Sequence, residues 1–128
     1  MRAFRQRPMP QQDADGLCLQ TRLALEAARS RRAASREMTV LAHAVLLTSF
    51  LTESGHGLLP LSCVRQVEEA VLSVLDEGKK TGEWNVDETI IKSLTVIVNE
   101  HDRQLREVRF SEVVAATERL DKMIVAAR

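Results

Sequence analysis

Apolar residues recur along most of this chain at intervals of three and four, the spacing of one face of an α-helix. Val64, Val67, Val71, Val74 and Leu75 make one such seam, and Val113, Leu120 and Ile124 make another. At 100° per residue, Ile90, Leu94, Ile97, Val98, His101 and Leu105 fall within one arc of roughly 100°. Residues 37–53 are apolar nearly all round, the pattern of a helix that is either central or hidden in an oligomer interface. No stretch alternates strictly enough for a strand pair, and no internal repeat is present. The pattern predicts an all-α protein: a single-domain bundle of about five helices, with short connections that favour antiparallel neighbours. A flexible basic arm is expected over 1–13 and the helical bundle domain over 14–128.

Punctuation between the seams sets the expected boundaries. Asp13 or Asp15 is placed to cap the first helix, which runs to about Arg32. Its apolar side is broad but small, with Leu19, Leu23 and Ala27 on one flank and Leu17, Ala24 and Ala28 on the other. Ser35 is placed to cap the second helix, with Glu37 in its first turn and Gly55 as its stop. Ser62, just past Pro60, caps the third, which ends near Gly78. Asp87 or Asn85 caps the fourth; with Asp87 as the cap, Val86 and Ile91 occupy the two positions of a hydrophobic staple. Ser111 opens the fifth helix, with Glu112 in its first turn.

Composition narrows the function classes. Phe4, Phe50, Phe110 and Trp84 are the aromatics and there is no tyrosine, so a platform for stacking single-stranded bases is excluded. Formal charge is zero overall but divided: residues 1–36 carry eight arginines against three acids, and the remainder carries a matching acidic excess. That split reads first as a basic tail plus a solvated helix face; the alternatives are an anionic partner for the N-terminal part, or contact between one molecule's arm and another's acidic body. Cys18 and Cys63 form no CxxC and match no zinc spacing; both lie in helical stretches and are expected as buried free thiols. The first residues lack the apolar core of a signal peptide. The longest uncharged run, Met38 to Thr52, falls short of the roughly 20 apolar residues of a membrane helix. The expectation is a soluble, cytoplasmic protein with no membrane contact.

Candidate chemistry concentrates in "VNEHDRQLREVRF", residues 98–110. His101 lies inside the apolar arc, Asp102 and Gln104 lie at its two edges, and Glu100 and Arg103 fall on the solvent side. A buried imidazole needs partners for both nitrogens, from a backbone carbonyl, water or a hydroxyl such as that of Thr48. The functional alternative is a ligand or proton-transfer site built from His101, Asp102 and Gln104. Because neighbours at i and i+1 do not face each other, that site needs a third element on which to converge. His43 sits among Leu47 and Phe50 and reads as structural, while His56, flanked by glycines, reads as exposed. No HExxH, phosphate loop or nucleophile elbow is present, so no catalytic residue, metal or cofactor is expected. The residues able to grip phosphates are Arg2, Arg5, Arg7, Arg22, Arg29, Arg31 and Arg32.

The order "RPMP", "ALEAAR", "FLTESGHG", "GKKTGEW" and "NEHDRQL" resembles a loose group of small uncharacterised helical proteins of proteobacterial plasmids, phages and integrated elements. In that group a basic Arg-Pro arm precedes a helical body, and an "HDxQ" motif lies late in the chain; here it maps onto His101, Asp102 and Gln104. Some members carry a "Fis-like regulator" label, although no helix-turn-helix is legible in this chain. The resemblance implies a mobile-element protein and gives Asp102 and Gln104 weight. The leading expectation is a non-enzymatic regulatory or accessory protein acting through protein–protein contacts, including inhibition of a host system, as a homodimer. The alternatives are a DNA-binding regulator using the arginine-rich region and a metal- or small-ligand-binding bundle centred on His101. The dimer rests on the second helix, whose apolar surface exceeds what a five-helix monomer readily hides, and on an apolar Val96 amid a polar face.

Overall fold

The computed structural model of the chain describes residues 6–127. Five α-helices follow one another: α1 (Gln11–Arg29), α2 (Ser35–Leu51), α3 (Leu61–Thr81), α4 (Glu88–Glu107) and α5 (Phe110–Ala126). A single π-helical turn, Thr52–His56, extends α2 before the chain reverses. The fold is all-α, and no helix is long and apolar enough to cross a membrane.

The apolar α2 lies at the centre and packs against each of the other four helices. Ten of its residues are buried, among them Met38, Leu41, Val45, Phe50 and Leu51. Its all-round apolarity is therefore satisfied within one chain, and this argument for a dimer falls. Two clusters fill the interior. One joins Leu25, Met38, Val45, Val71 and Leu94 across α1 to α4; the other joins Phe50, Leu105, Val113 and Leu120 with Met9 and Cys18. On α1 the small side chains Ala14, Ala24 and Ala28 face inward, while Leu17, Leu19 and Leu23 face solvent.

Asp87 caps α4 as expected, its carboxylate accepting from the Ile90 N–H at 2.9 Å, and Val86 packs against the same cluster as Ile91. The serines at the other starts lie inside their helices instead. Pro10 and Pro60 occupy the N-cap positions of α1 and α3, where a missing N–H has no helical partner to lose. Ala34 precedes α2, and its N–H donates to the Glu37 carboxylate at 3.0 Å, the return half of a capping box without its hydroxyl half. Arg109 precedes α5. Of the arm expected over 1–13, residues 1–5 lie outside the described residues. The rest is docked: Met9 is buried, the Arg7 carbonyl accepts from the Phe110 N–H at 2.7 Å, and α1 begins at Gln11. Of the two thiols, Cys18 is buried as expected, and burial pushes its pKa up, but Cys63 is exposed.

Gly82 ends α3 in the left-handed conformation (φ 77°), with its N–H bonded to the Gly78 carbonyl. The returning chain lays Trp84 against Gly78, where a Cβ would collide with the indole ring. Gly78→Ala should displace the sole tryptophan and cost about 1–3 kcal/mol. A red shift of Trp84 emission with a lowered thermal midpoint is the expected reading; an unchanged spectrum would show that the ring is not packed there.

Candidate functional site

The HDxQ run sits in the second half of α4, and the helix aims its three polar side chains three ways. At 100° per residue, Asp102 is turned about 100° one way from His101 and Gln104 about 60° the other. Asp102 faces α1. Its carboxylate accepts from Arg22 Nη2 at 3.1 Å and from Arg106 Nε at 2.6 Å, and Arg106 reaches on to Asp15 at 2.7 Å. Arg22 also donates to Asn99 Oδ1 at 3.0 Å. Burial alone would raise the Asp102 pKa, but the hydrogen bonds from Arg106 and Arg22 outweigh it and hold the carboxyl below its ordinary value. Asp102 is thus the hub that fastens α4 to α1. Asp102→Ala should cost about 1–2 kcal/mol, since networks of several charges exceed the single exposed pair. In a double-mutant cycle with Arg22→Ala the losses should be less than additive; additive losses would show that the pair contributes nothing.

Gln104 is fully buried and turns toward the π-helical turn, donating to Thr52 Oγ1 at 3.3 Å and to the His56 carbonyl at 3.4 Å; its Oε1 has no partner among the described residues. Glu100 and Arg103, expected on the solvent side, join it there. The chain leaving α2 folds over this flank of α4 and buries Glu100 to 6% exposure. Glu100 Oε2 accepts from the Leu58 N–H at 2.7 Å, and Arg103 donates to both Glu100 oxygens and to the His56 carbonyl at 2.7 Å. That carbonyl ends a helix, where a cation is favoured. Desolvation would raise the Glu100 pKa, but Arg103 and the Leu58 N–H outweigh it and the net direction is down. Gly55 supplies the positive φ (95°) of this turn, as its expected role of stop required. Gly57 allows Thr52 to approach where a Cβ would collide with it.

His101 is buried at 4% exposure, as its place on the arc requires. Thr48 does not partner it; that hydroxyl donates to the Ala44 carbonyl at 2.8 Å. Nδ1 is buried without a partner among the described residues, and desolvation lowers the pKa to about 4, against a smaller opposing pull from Asp102. The ring lines a cleft of about 290 Å³ that His43, half-buried on α2, also lines. Burial likewise lowers the His43 pKa, with Asp121 opposing. His56, expected to be exposed, is half-buried, its Nε2 3.8 Å from Glu112 Oε2. His101, Asp102 and Gln104 therefore do not converge on one point. That His101 and His43 line one cleft escaped sequence reasoning, because the two lie on separate helices whose crossing no local signal gives.

The arginines divide as well. Arg2 and Arg5 lie outside the described residues. Arg22 is engaged by Asp102 and Arg29 pairs with Glu26 at 3.1 Å. Arg31 and Arg32 are exposed past the end of α1, a helix of about 28 Å whose other end lies near Arg7. Arg29 and Arg31 share a cleft with Lys92, but Glu88 lines it too. The described arginines thus make no single phosphate-facing surface, and part of the N-terminal charge is neutralised by the chain's own acids. Among the described residues no three of His, Cys, Asp and Glu are grouped to hold a metal ion.

Fold and site together define a five-helix bundle around a central apolar helix. Comparison with known protein families, curated proteins and solved structures gives no match.

Proposed function

We propose that this chain is a non-enzymatic accessory or regulatory protein that acts by docking another protein chain, a second copy of itself first among the candidates. The observation that carries the reading is a groove of about 410 Å³ between α3 and α4. Val67 and Ile97 form its floor, with Leu59, Ala70 and Ile90 as its walls and Val96, half exposed, at its lip. An apolar groove with an unpartnered valine at its edge fits the apolar side of a partner helix. The Asp102 carboxylate and the Gln104 amide nitrogen of the HDxQ run, meanwhile, are spent on holding α4 to its neighbours, which favours a binding role over catalysis. The resemblance to proteins of plasmids, phages and integrated elements supports a role in a mobile element, with a host protein as the other candidate partner.

Val96→Arg places a charge at the lip without disturbing the core. Sedimentation equilibrium should give a dimer for the wild type at micromolar concentration and the 14.4 kDa monomer for the variant, with melting temperatures within a few degrees. A wild type that sediments only as monomer removes the second copy. A Val96→Arg variant that also keeps every activity in the native host removes the groove.

A further inference from the structure

The cleft between α1, α2 and α5, floored by α4, is independent of the α3–α4 groove. Its floor and walls are Leu105, Val113, Val40, Leu47 and Ala44, and its polar groups are His43, His101, Thr21, Thr117 and Gln20. Neither His101 nor His43 hydrogen-bonds to any described residue, and His101 Nδ1 is shut away from solvent. The two threonine hydroxyls have already committed their protons, Thr21 to the Leu17 carbonyl at 3.1 Å and Thr117 to the Val113 carbonyl at 2.8 Å. Their oxygens remain as acceptors facing an apolar space. Among the described residues no Lys, Arg, Asp or Glu lines the cleft. An anionic guest would lose its hydration there with no counter-charge from the lining, and the Asp121 and Asp102 carboxylates, which act on the two histidines, would oppose it further.

We infer that this cleft is a binding site for a small neutral ring compound, of one or two rings, bearing a hydroxyl or ring N–H. The size follows from volume: an apolar cavity of roughly 150 Å³ accommodates benzene, and this cleft offers about 290 Å³. The polar group follows from the lining: a donor on the guest meets the free threonine oxygens or an imidazole lone pair. His43, neutral at physiological pH, presents one donor and one acceptor, whereas His101 Nδ1 is shut away from the open cleft and is not offered to the guest. A pocket of apolar walls with a few polar groups of defined polarity is the usual form of a small-molecule site.

Titration of the full chain with indole, followed by the imidazole resonances of ¹⁵N-labelled histidines, tests this. Saturable shifts of His43 and His101, with His56 unmoved, are expected, and phenol should compete. Benzoate, of similar size but anionic, should bind at least about tenfold more weakly. Thr117 lies at the exposed rim, so Thr117→Trp should plug the cleft and weaken indole at least about tenfold while the protein stays folded by circular dichroism. No saturable shift in the folded wild type, equal affinity for benzoate, or indole binding unchanged in folded Thr117→Trp would each overturn the assignment. Should Thr117→Trp unfold, Thr117→Phe provides the same test.

Discussion

Arg103→Ala should lower stability by about 2–4 kcal/mol and should reverse the sign of one part of the protein's pH dependence. Removing one partner of a buried ion pair leaves the other charge uncompensated, which typically costs about 3–5 kcal/mol. The lower range applies because Arg103 is itself one-quarter exposed, so water can reach part of the vacated space. The His56 carbonyl loses its 2.7 Å bond at the same time, loosening the turn that covers Glu100. A drop of roughly 8–15 °C in thermal midpoint is expected for a domain of this size. In the wild type the Glu100 pKa is held below its ordinary value. Its contribution is present above the unfolded pKa, near 4.5, and is lost as pH falls through the folded value. In the variant burial acts without the guanidinium and raises the pKa, so the protonated form becomes the favoured one. The gap between variant and wild type should then narrow from pH 7.5 toward pH 5. Glu100→Gln keeps an acceptor for Leu58 and sheds the charge, and should be milder. Arg103→Ala melting with the wild type across that range would show that Glu100 is solvated and the clamp idle.

Helix number and core faces were legible because they rest on local periodicity. Val64, Val67, Val71 and Val74 on α3 and Leu94, Ile97, Val98 and His101 on α4 are buried as their spacing predicts. Helix starts were less legible. Ser62 follows a proline that already fixes the backbone for helix entry, so the helix begins before the serine can cap it. The cover over Glu100 and the clamp on Asp102 were illegible for a different reason. The Glu100 cover is the chain after α2, whose Leu58 lies 42 residues away, and Arg22, which clamps Asp102, lies 80 residues away. On a helical wheel both carboxylates sit at or beyond the apolar arc, and only the packing of other elements decides whether such an edge is wet or dry. The HDxQ run reads as one motif in the sequence and as three separate contacts in the fold. Adjacent positions on a helix diverge by about 100° unless a second element draws them together.

His101 carries the other large effect. His101→Leu should fold as well as the wild type or better, whereas His101→Asp should lose about 3–5 kcal/mol. Leucine would fill similar space, and no described side chain gives up a hydrogen bond to the imidazole, so the usual penalty for an orphaned partner does not arise. Aspartate instead buries a carboxylate beside the Asp102 carboxylate, and must either bear the desolvation or take up a proton. The pH dependence separates packing from charge. The folded His101 pKa, about 4, lies below the ordinary 6.5, so the unfolded chain binds the extra proton throughout that interval. The histidine's contribution is therefore intact above pH 6.5 and is lost as pH falls toward 4, by about 3 kcal/mol in all. His101→Leu removes this loss. Its advantage over the wild type should grow steadily from pH 6.5 to pH 4, in chemical denaturation run at each pH. A constant difference between the two proteins across that interval would mean that His101 titrates normally in the folded state and that the interior around it is open to water.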